Sequence, residues 1–415
     1  MKNKNSIKIT CCQICNSKEL KNIMFFGYVP PVNSMQKIGS VNSESLYFPL
    51  NLVKCSSCHH VQIDTIVDKN ILFPFSYPYL SGTTRILREN FEDLYNECKR
   101  ILVLKENDLV LDIGSNDGTL LNAFKINGLN TLGVEPSQAG KIANKNGIET
   151  IIDYFNEKTV DKILDKPKKP KIITATNVFA HIESPNYLIK LIKRIMNHDS
   201  VFITESHYLI PLIKTLQYDT VYHEHLRYYH LLALQKLFQL NNLEIFHAKK
   251  IPTHGGSIRV FVSRKGKFKQ TSNLKKISLE EEKFGINSTL IFEKFRNKIL
   301  RSKFKLLNLL IELKQKKKII FGVGAPSRAT TLINFTGIDE NIISYILEVK
   351  DSNKLNKYLP GTLIPVVDEI ILEKTKPDYL LILSWHIKDE LIKIFKRRGF
   401  KGKYIIPLPV PKIMN

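Results

Sequence analysis

Apolar runs alternate with helical stretches over residues 96–250, a pattern typical of β-α-β units around a parallel sheet. The runs predict four strands in this part: Leu109–Ile113, Thr131–Glu135, Lys171–Ala175 and Ser200–Glu205. The alternation returns after residue 316 and predicts four more: Lys318–Val323, Ile342–Glu348, Tyr379–Ser384 and Tyr404–Pro407. Between the two, residues 270–315 carry apolar positions at i, i+3 and i+4, which indicates long amphipathic helices. The chain is therefore of the α/β class with two separate sheets.

The pattern divides the chain into four segments. Residues 1–95 are rich in loops, clustered cysteines and aromatic residues and form an N-terminal lobe. We expect the first α/β domain over residues 96–265, a helical connector over 266–315 and a second α/β domain over 316–415.

The composition excludes several classes of protein. With 415 residues, of which 43% are apolar and 24% charged, the chain can bury a large core without disulfide bonds. No run of about 18 apolar residues is present, which argues against a membrane span. The first ten residues are polar and lysine-rich, without the apolar core of a signal peptide, so we expect a cytoplasmic protein.

The formal charge of +23 has two interpretations. A basic chain suits a partner that carries phosphates, either a nucleic acid or a nucleotide-linked substrate. Alternatively, the charge reflects a general enrichment in Lys, Asn and Ile. Blocks such as Lys314–Lys318 and Lys166–Lys171 precede apolar runs and are typical of solvated connectors.

Four of the six cysteines form two C-x-x-C pairs: Cys12 with Cys15, and Cys55 with Cys58. Two such pairs supply four thiolates to one tetrahedral zinc ion, which leaves no position for a substrate and predicts a structural site. A redox role would require a thioredoxin-like β-α-β context, which neither pair has. Cys11 and Cys98 have no evident partner, and Cys11 complicates the assignment because it adjoins Cys12.

A glycine loop follows the first predicted strand. Gly114-Ser115-Asn116-Asp117-Gly118 is a tight turn between this strand and a helix from Thr119, a place where a ligand approaches the backbone. Glu135 ends the next strand, and its carboxylate suits the two hydroxyls of a ribose. The loop lacks the G-x-G-x-x-G spacing of dinucleotide binding, which argues against NAD.

This loop resembles motif I of class I S-adenosylmethionine-dependent methyltransferases. Further segments extend the resemblance in order along the chain: the C-x-x-C pairs, Tyr77–Gly82 (YPYLSG), Asn177–Ile182 (NVFAHI), Tyr222–His225 (YHEH), His254–Arg259 (HGGSIR) and Lys350–Pro365. Together they resemble the three-domain sugar C-methyltransferases, which methylate a carbon of a nucleotide-linked keto-deoxysugar. The resemblance implies an N-terminal zinc lobe, a central class I methyltransferase domain and a C-terminal Rossmann-like domain.

The resemblance also implies residue roles. S-adenosylmethionine is expected at the following residues: Asp112, Gly114, Asn116, Asp117, Gly118, Glu135, Pro136, Asp153, Phe155 and Asn177. Asp153 or Phe155 would contact the adenine, although Phe155 is equally interpreted as a core aromatic residue. The substrate is expected at the following residues: Tyr79, Ser81, His254, Gly255, Gly256, Arg259, Ser327 and Arg328.

The chemistry of such a reaction requires a base. A carbon next to a ketone becomes a nucleophile when a base removes its proton and the enolate oxygen is stabilised. Histidine suits this task, and His225 is the expected base, with Glu224 orienting it or contacting the substrate. The expected donors to the keto oxygen and sugar hydroxyls are Tyr222, Tyr77, His181 and Asn177. Tyr79 competes with Tyr77 for this role, because one segment carries both.

The second glycine turn, Gly322-Val323-Gly324-Ala325, precedes a helix that begins near Ser327 and Arg328. These two residues would hold a nucleotide diphosphate at the helix N-terminus. Alternatively, this domain only packs against the first. The family usually has G-A-x-A-K here, whereas this chain has G-A-P-S-R.

Two other reaction classes remain as alternatives. An O- or N-methyltransferase for a nucleotide sugar would share the cofactor loop but would not need a carbon acid. A nucleic-acid methyltransferase would explain the charge and the zinc, but the sequence lacks the N/D-P-P-Y/F/W and Pro-Cys motifs of those enzymes. The oligomeric state has no signature in the sequence.

Overall fold

The computed structural model describes residues 5–40, 45–74, 80–83 and 85–415. Two seven-stranded sheets dominate the described residues, and smaller antiparallel sheets accompany them in the N-terminal lobe.

The N-terminal lobe is built on antiparallel strands. Its elements are β1 (Ser6–Lys8), β2 (Leu20–Val29), β3 (Phe48–Cys55), β4 (Val61–Ile63), β5 (Thr65–Val67) and α1 (Lys69–Leu72). The register of β2 and β3 pairs Leu20 with Cys55, so β3 delivers Cys55 to the end of the sheet next to the first C-x-x-C pair. The lobe is continuous with the rest of the chain, because β4 pairs with a strand at residues 227–228.

The central domain is a doubly wound sheet with helices on both faces. Its elements are α2 (Arg85–Ile101), β6 (Leu109–Ile113), α3 (Thr119–Lys125), β7 (Asn130–Val134), α4 (Gln138–Lys145), β8 (Thr150–Ile151), α5 (Glu157–Leu164), β9 (Ile172–Thr176), α6 (Pro185–Ile195), β10 (Val201–His207), α7 (Leu209–Lys214), β11 (Arg227–Tyr228), α8 (Leu231–Leu240), β12 (Leu243–Ile251) and β13 (Ser257–Arg264). The strand order is β12-β13-β10-β9-β6-β7-β8, with β6 to β10 parallel. The carboxyl ends of β6, β9 and β10 therefore meet at one edge, where ligands bind in such sheets.

Two helices connect the domains: α9 (Ser272–Phe284) and α10 (Thr289–Gln315). Thr271 and Ser288 cap their N-termini with side-chain oxygens, and Gly285 ends α9 in a left-handed conformation. The face of α10 that carries Phe292, Phe295 and Leu306 is buried, so this helix packs along its whole length. The amphipathic pattern over residues 270–315 thus predicts helices correctly, but not the break between them.

The C-terminal domain repeats the doubly wound plan. Its elements are β14 (Ile320–Val323), α11 (Ser327–Thr336), β15 (Tyr345–Glu348), β16 (Lys357–Tyr358), β17 (Pro365–Asp368), β18 (Tyr379–Ile382), α12 (Lys388–Arg397), β19 (Lys403–Ile406) and β20 (Lys412–Met414). The strand order is β16-β17-β15-β14-β18-β19-β20, in which the five inner strands are parallel.

All eight strands that the sequence predicts have a counterpart in the two sheets, with boundaries shifted by up to three residues. The largest shift is at Ile342, because strand β15 begins only at Tyr345. Within the described ranges, no helix combines the length and the apolar character that crossing a membrane requires.

Candidate active site

Four thiolates of the N-terminal lobe converge on one point. The ligand atoms of Cys12, Cys15, Cys55 and Cys58 all lie within 4.8 Å of one another. The Sγ atoms of Cys12 and Cys58 are 3.5 Å apart, and those of Cys15 and Cys55 are 3.6 Å apart. Zn–S bonds of about 2.3 Å in a tetrahedron place the sulfurs about 3.8 Å apart, so the cluster has the dimensions of a zinc site.

The remaining cysteines lie outside this cluster. Cys98 is buried in helix α2, and Cys11 is half-buried beside Cys12 but contributes no ligand atom to the group. The structure therefore resolves the ambiguity between Cys11 and Cys12. The cluster suits a structural zinc ion, because four thiolates complete its tetrahedral coordination sphere.

The first glycine loop has its shape defined by two glycines and by the carboxylate of Glu135. Gly114 and Gly118 have φ values of +73° and +79°, and a Cβ at Gly114 would lie 2.5 Å from the side chain of Val178. Both oxygens of Glu135 accept backbone N–H groups, from Asn116 at 3.0 Å and from Ser137 at 2.9 Å. These bonds hold the carboxylate at the end of β7, next to the turn. The turn, the glycines and this acid together fit S-adenosylmethionine.

Segment 80–83 lies against the same loop. The backbone N–H of Ser81 donates to the side-chain oxygen of Asn116 over 2.9 Å, and that of Gly82 donates to Asp117 over 2.8 Å. Ser81, expected at the substrate, is thus placed directly at the cofactor loop. The expected donors Tyr77 and Tyr79 lie outside the described residues.

Asp112 is a buried acid beneath the loop. Its Oδ1 accepts from the hydroxyl of Thr174 over 2.6 Å, and burial raises the pKa of this carboxyl to about 7. Glu135 and Glu205 add to the rise, because a second negative charge nearby disfavours ionisation. Only 2% of Asp112 is exposed, so it supports the loop from inside the sheet and does not face a ligand directly.

The other expected cofactor residues follow the carboxyl ends of strands β7, β8 and β9. Pro136 follows Glu135 and is half-buried, and Asn177, at φ +56°, lies just after β9. Asp153 accepts from the backbone of Tyr154 over 2.7 Å, which turns the chain after β8. Phe155 is half-buried and packs against the main hydrophobic core, which favours the interpretation as a core aromatic residue.

The segment Tyr222–His225 forms a hydrogen-bonded pair at the edge of this domain. Nδ1 of His225 lies 3.0 Å from the carbonyl oxygen of Thr220, and Nε2 lies 3.1 Å from the hydroxyl of Tyr222. A carbonyl oxygen only accepts, so Nδ1 carries the proton of the neutral ring and Nε2 carries the lone pair. Tyr222 then donates to Nε2. The orientation of His225 thus comes from Thr220, whereas the sequence suggested Glu224 for this task.

Glu224 instead connects three parts of the chain. Its Oε1 accepts from the side chain of Asn33 in the N-terminal lobe over 2.7 Å, and its carbonyl oxygen accepts from Nδ1 of His181. Asn33 in turn accepts from the hydroxyl of Ser327 over 3.2 Å. Nδ1 of His181 is thus engaged with the protein backbone. The expected role of His181 as a donor to a keto oxygen stays a prediction.

Five of the eleven histidines lie near one another where the central and C-terminal domains meet, a region that we call the cleft: His181, His207, His225, His254 and His386. The ring centroids of His181 and His225 are 5.1 Å apart, and those of His207 and His225 are 6.5 Å apart. His254 and His386 are exposed at the rim, and the other three are half-buried.

The environment keeps these imidazoles neutral. Burial lowers the pKa of His225 well below its usual value, and any charge on His181 or His207 would lower it further. Burial and the charge of Arg328 lower the pKa of His207 to about 3. The pKa of Tyr222 is raised well above 10 by burial and by Glu224, so its hydroxyl keeps its proton. At neutral pH the cleft holds neutral acceptors and a tyrosine donor.

The two glycines of the H-G-G-S turn are explained by close packing. A Cβ at Gly255 would lie 2.5 Å from the side chain of Gln217, and one at Gly256 would lie 2.7 Å from Pro211. Both glycines also have positive φ values. Their expected contact with substrate is therefore not needed to explain why glycine stands here.

Arg259 does not reach a substrate, contrary to the sequence expectation. It is fully buried, and its Nε donates to Glu205 over 2.6 Å while Nη1 contacts Glu97 and Asp93. Asn90 accepts from the remaining Nη2. This network ties helix α2 to strands β10 and β13, so Arg259 has a structural role.

Arg328 is held within the protein at the domain junction. Only 7% of it is exposed, and its three nitrogens contact Asp219 at 3.6 Å, His386 at 3.2 Å and Gln217 at 3.2 Å. Trp385 donates to Asp219 from its indole nitrogen over 2.7 Å. The expected direct contact between Arg328 and a phosphate is therefore corrected, because its guanidinium joins two domains.

Sequence reasoning missed several residues of the cleft: Asn33, His207, Gln217, Thr220 and His386. Gln217 and Thr220 belong to Q-Y-D-T, which only Val221 separates from Y-H-E-H, and His207 ends strand β10, two residues beyond the end of the predicted strand Ser200–Glu205. Histidine at the carboxyl end of a parallel strand was a usable signal. The contacts of Asn33 depend on the packing of domains, and the contact of His386 with Arg328 depends on tertiary packing within the C-terminal domain. Neither set of contacts has a signal in the sequence.

Three family models match successive parts of the chain. A zinc binding domain matches residues 12–73, a methyltransferase domain matches residues 85–248, and a C-methyltransferase C-terminal domain matches residues 252–409. C-methyltransferase NovU of Streptomyces niveus is 27% identical over 411 residues, covering 97% of this chain and 96% of the relative.

Solved structures resemble part of the chain. The PH0226 protein of Pyrococcus horikoshii OT3 is 17% identical and covers 47% of this chain and 98% of its own, with a TM-score of 0.37. Magnesium protoporphyrin IX methyltransferase of Synechocystis PCC 6803, solved with bound S-adenosylmethionine, is 13% identical and covers 43% of this chain and 79% of its own, with a TM-score of 0.32.

The order of these domains agrees with the geometry. The zinc-binding model spans the thiolate cluster, and the methyltransferase model spans the glycine loop with Glu135. The relative, over nearly its full length, is a C-methyltransferase. Together these matches and the geometry support an S-adenosylmethionine-dependent C-methyltransferase of three domains, with zinc as its structural metal.

Proposed function

We propose that this enzyme methylates the carbon next to the keto group of a nucleotide-linked 4-keto sugar, with His225 as the general base. The observation that carries the proposal is the pair formed by Tyr222 and His225. A bare Nε2 and a phenolic hydroxyl lie 3.1 Å apart at the cleft, with the opposite side of the imidazole fixed by Thr220. A base and a donor at this spacing suit a carbon-bound proton and the adjacent keto oxygen.

The first step is removal of the proton. Nε2 of His225 accepts the proton from the carbon, and the electron pair of the C–H bond moves into the enolate. In the resting site this lone pair is occupied by the hydroxyl of Tyr222. When the substrate enters, the hydroxyl turns to the keto oxygen, which frees Nε2 for the proton.

The second requirement is stabilisation of the enolate oxygen. Tyr222 stays protonated because its pKa is raised, and its hydroxyl donates to the developing negative charge. The imidazolium at His225 is stabilised by the carbonyl of Thr220 and by the enolate itself. The glycine loop and Glu135 would hold S-adenosylmethionine, which would supply an electrophilic methyl group: its S–CH3 bond would break as the C–C bond forms and the ketone is restored, with S-adenosylhomocysteine as the leaving group.

The sugar class is supported by the polarity of the cleft and by the family resemblance. The described cleft presents imidazoles, the hydroxyl of Tyr222 and the carboxylate of Glu224, a set that suits a substrate with several hydroxyls. An O- or N-methyltransferase would not need a base at a carbon, and the matched C-terminal domain belongs to C-methyltransferases.

Deuterium exchange tests the proposal. The enzyme is incubated in D₂O with dTDP-, GDP- and CDP-linked 4-keto sugars, with and without labelled S-adenosylmethionine, and the products are examined by NMR. We expect loss of one proton next to the ketone and a new methyl group on that carbon. His225→Gln should abolish both, and His198→Gln, at an exposed histidine away from the cleft, should preserve both.

Other outcomes point elsewhere. A methyl group on oxygen or nitrogen, without exchange, would overturn the enolate mechanism. Wild-type exchange that survives in His225→Gln would remove His225 from the role of base. Methylation of duplex DNA or tRNA, with steeply salt-dependent binding, would favour the nucleic-acid alternative.

A further inference from the structure

The side chain of Gln217 joins four parts of the molecule around the cleft. Its Oε1 lies 3.3 Å from Nε2 of His207 and 3.2 Å from Nη2 of Arg328. Its Nε2 lies 2.7 Å from Oγ1 of Thr215 and 2.8 Å from the carbonyl oxygen of Gly255. Only 2% of Gln217 is exposed, so these contacts define its position.

The orientation of this amide is determined by its neighbours. Arg328 only donates, so the amide atom that faces it must be the oxygen. The carbonyl of Gly255 only accepts, so the atom that faces it must be the nitrogen. A flipped amide would place donor against donor and acceptor against acceptor. Gln217 therefore presents an acceptor to His207.

This acceptor sets the tautomer of His207. The neutral ring has one N–H, and the oxygen of Gln217 draws it to Nε2, which leaves the lone pair on Nδ1. Among the described residues, no hydrogen bond to Nδ1 is made. His207 ends strand β10, is half-buried, and lies with its ring centroid 6.5 Å from that of His225.

We propose that His207 is a further substrate-contacting residue, which accepts a hydrogen bond from a substrate hydroxyl at Nδ1, and that Gln217 is the positioning residue that fixes this tautomer. The substrate part rests on the proposed function, because it requires a hydroxylated substrate in the cleft. The positioning part rests on the geometry of Gln217 alone.

His207 and His225 differ in what their Nε2 atoms face. Nε2 of His207 donates to the oxygen of Gln217, which also accepts from the permanently charged Arg328, whereas Nε2 of His225 accepts from the hydroxyl of Tyr222. In this proposal His207 therefore serves as an acceptor at Nδ1, and His225 keeps the role of base.

The tautomer is tested first, without any substrate. ¹⁵N NMR of histidine-labelled enzyme at pH 7, with the His207 signals assigned by their loss in His207→Asn, reports which nitrogen carries the proton. We expect Nε2 protonated and Nδ1 bare in the wild type, and a mixture of tautomers in Gln217→Leu. A protonated Nδ1 in the wild type would overturn the proposal, as would an unchanged tautomer in a folded Gln217→Leu.

The substrate contact is tested with dTDP-4-keto-6-deoxyglucose and its deoxy analogues. Adding the sugar nucleotide should shift the Nδ1 signal. His207→Leu should raise KM about tenfold with a smaller change in kcat, the loss of one hydrogen bond to the substrate. His207→Asn, whose amide oxygen can occupy the place of Nδ1, should recover most of the affinity. The deoxy analogue that lacks the hydroxyl bonded to Nδ1 should bind wild type and His207→Leu equally, because it cannot make this hydrogen bond with either enzyme.

The outcomes separate the two proposals. A sugar that is methylated without shifting Nδ1, and with equal KM in His207→Leu, would overturn the contact and leave the proposed function intact. An enzyme that methylates no keto sugar, yet shows the bare Nδ1 and its dependence on Gln217, would overturn the proposed function and support the positioning role.

Discussion

The rings of Tyr222 and His225 stack with their centroids 4.1 Å apart, and the tyrosine hydroxyl reaches Nε2 of the histidine over 3.1 Å. The two side chains stand three residues apart in one short segment, so their spacing is defined by local backbone structure. Domain movement is therefore not needed to bring together the proposed donor and the proposed base.

Tyr222→Phe should lower kcat about 10²- to 10³-fold, because it removes the proposed donor to the enolate oxygen. KM should change much less, since the ring still packs in the cleft. The measurement is steady-state methyl transfer together with thermal unfolding. Tyr404→Phe is a suitable control, because this buried hydroxyl has no hydrogen-bond partner in the described part of the chain. Equal losses in both variants would contradict the assignment.

The pH profile should show an acid limb displaced to low pH. The base form of His225 is the neutral ring, and its pKa is lowered first by burial and then by the repulsion that a proton on the facing His181, His207 or His254 would add. Activity is therefore retained as the pH falls through 6.5 and is lost only when the pH reaches the lowered pKa. The measurement is kcat/KM from pH 4.5 to 9, in parallel with a stability profile. An acid limb at or above pH 6.5 would contradict the proposed environment.

Removal of one thiolate should destabilise the N-terminal lobe. Cys58→Ser should lose zinc, and the melting temperature should fall by about 4–8 °C for each kcal/mol of lost stability in a domain of this size. Cys11→Ser is the matched control, because Cys11 lies next to a ligand but outside the cluster. Zinc content by atomic absorption and thermal unfolding check both variants. Loss of zinc in Cys11→Ser would contradict the ligand assignment.

Arg259→Leu should destabilise the protein by about 3–5 kcal/mol, because it leaves the buried carboxylates of Glu205 and Glu97 without their partner. Arg85→Leu, which removes an exposed pair with Glu89 on the same helix α2, should change stability by less than about 1 kcal/mol. Denaturant unfolding compares the two. A stable Arg259→Leu enzyme with only a raised KM would restore this residue to the substrate site.

The sequence predicts the elements well and the contacts between domains poorly. Strands such as Leu109–Ile113 are buried on both faces, so their apolar runs are continuous and easily located. The four zinc ligands are also readable, because the C-x-x-C spacing encodes local geometry. His225 and Tyr222 follow from the family resemblance.

Arg259 and Arg328 show why the remaining roles were missed. A sequence shows an arginine but not which carboxylates it meets, and Glu97 and Glu205 lie 162 and 54 residues away from Arg259. Glycine is also ambiguous, since Gly255 is required by the approach of Gln217, whose position no spacing rule reveals. Such contacts depend on tertiary packing.

The hydrogen bonds of Asn33 arrange the three lobes as a ring, although they follow one another linearly along the chain. The side-chain amide of Asn33 connects the N-terminal lobe to Glu224 of the central domain and to Ser327 of the C-terminal domain. Arg328 of the C-terminal domain contacts Asp219 of the central domain, so each lobe contacts the other two. An exchange of one lobe for that of a relative would therefore have to preserve two boundaries at once, so we expect these enzymes to diversify by changing residues inside the cleft more readily than by shuffling domains.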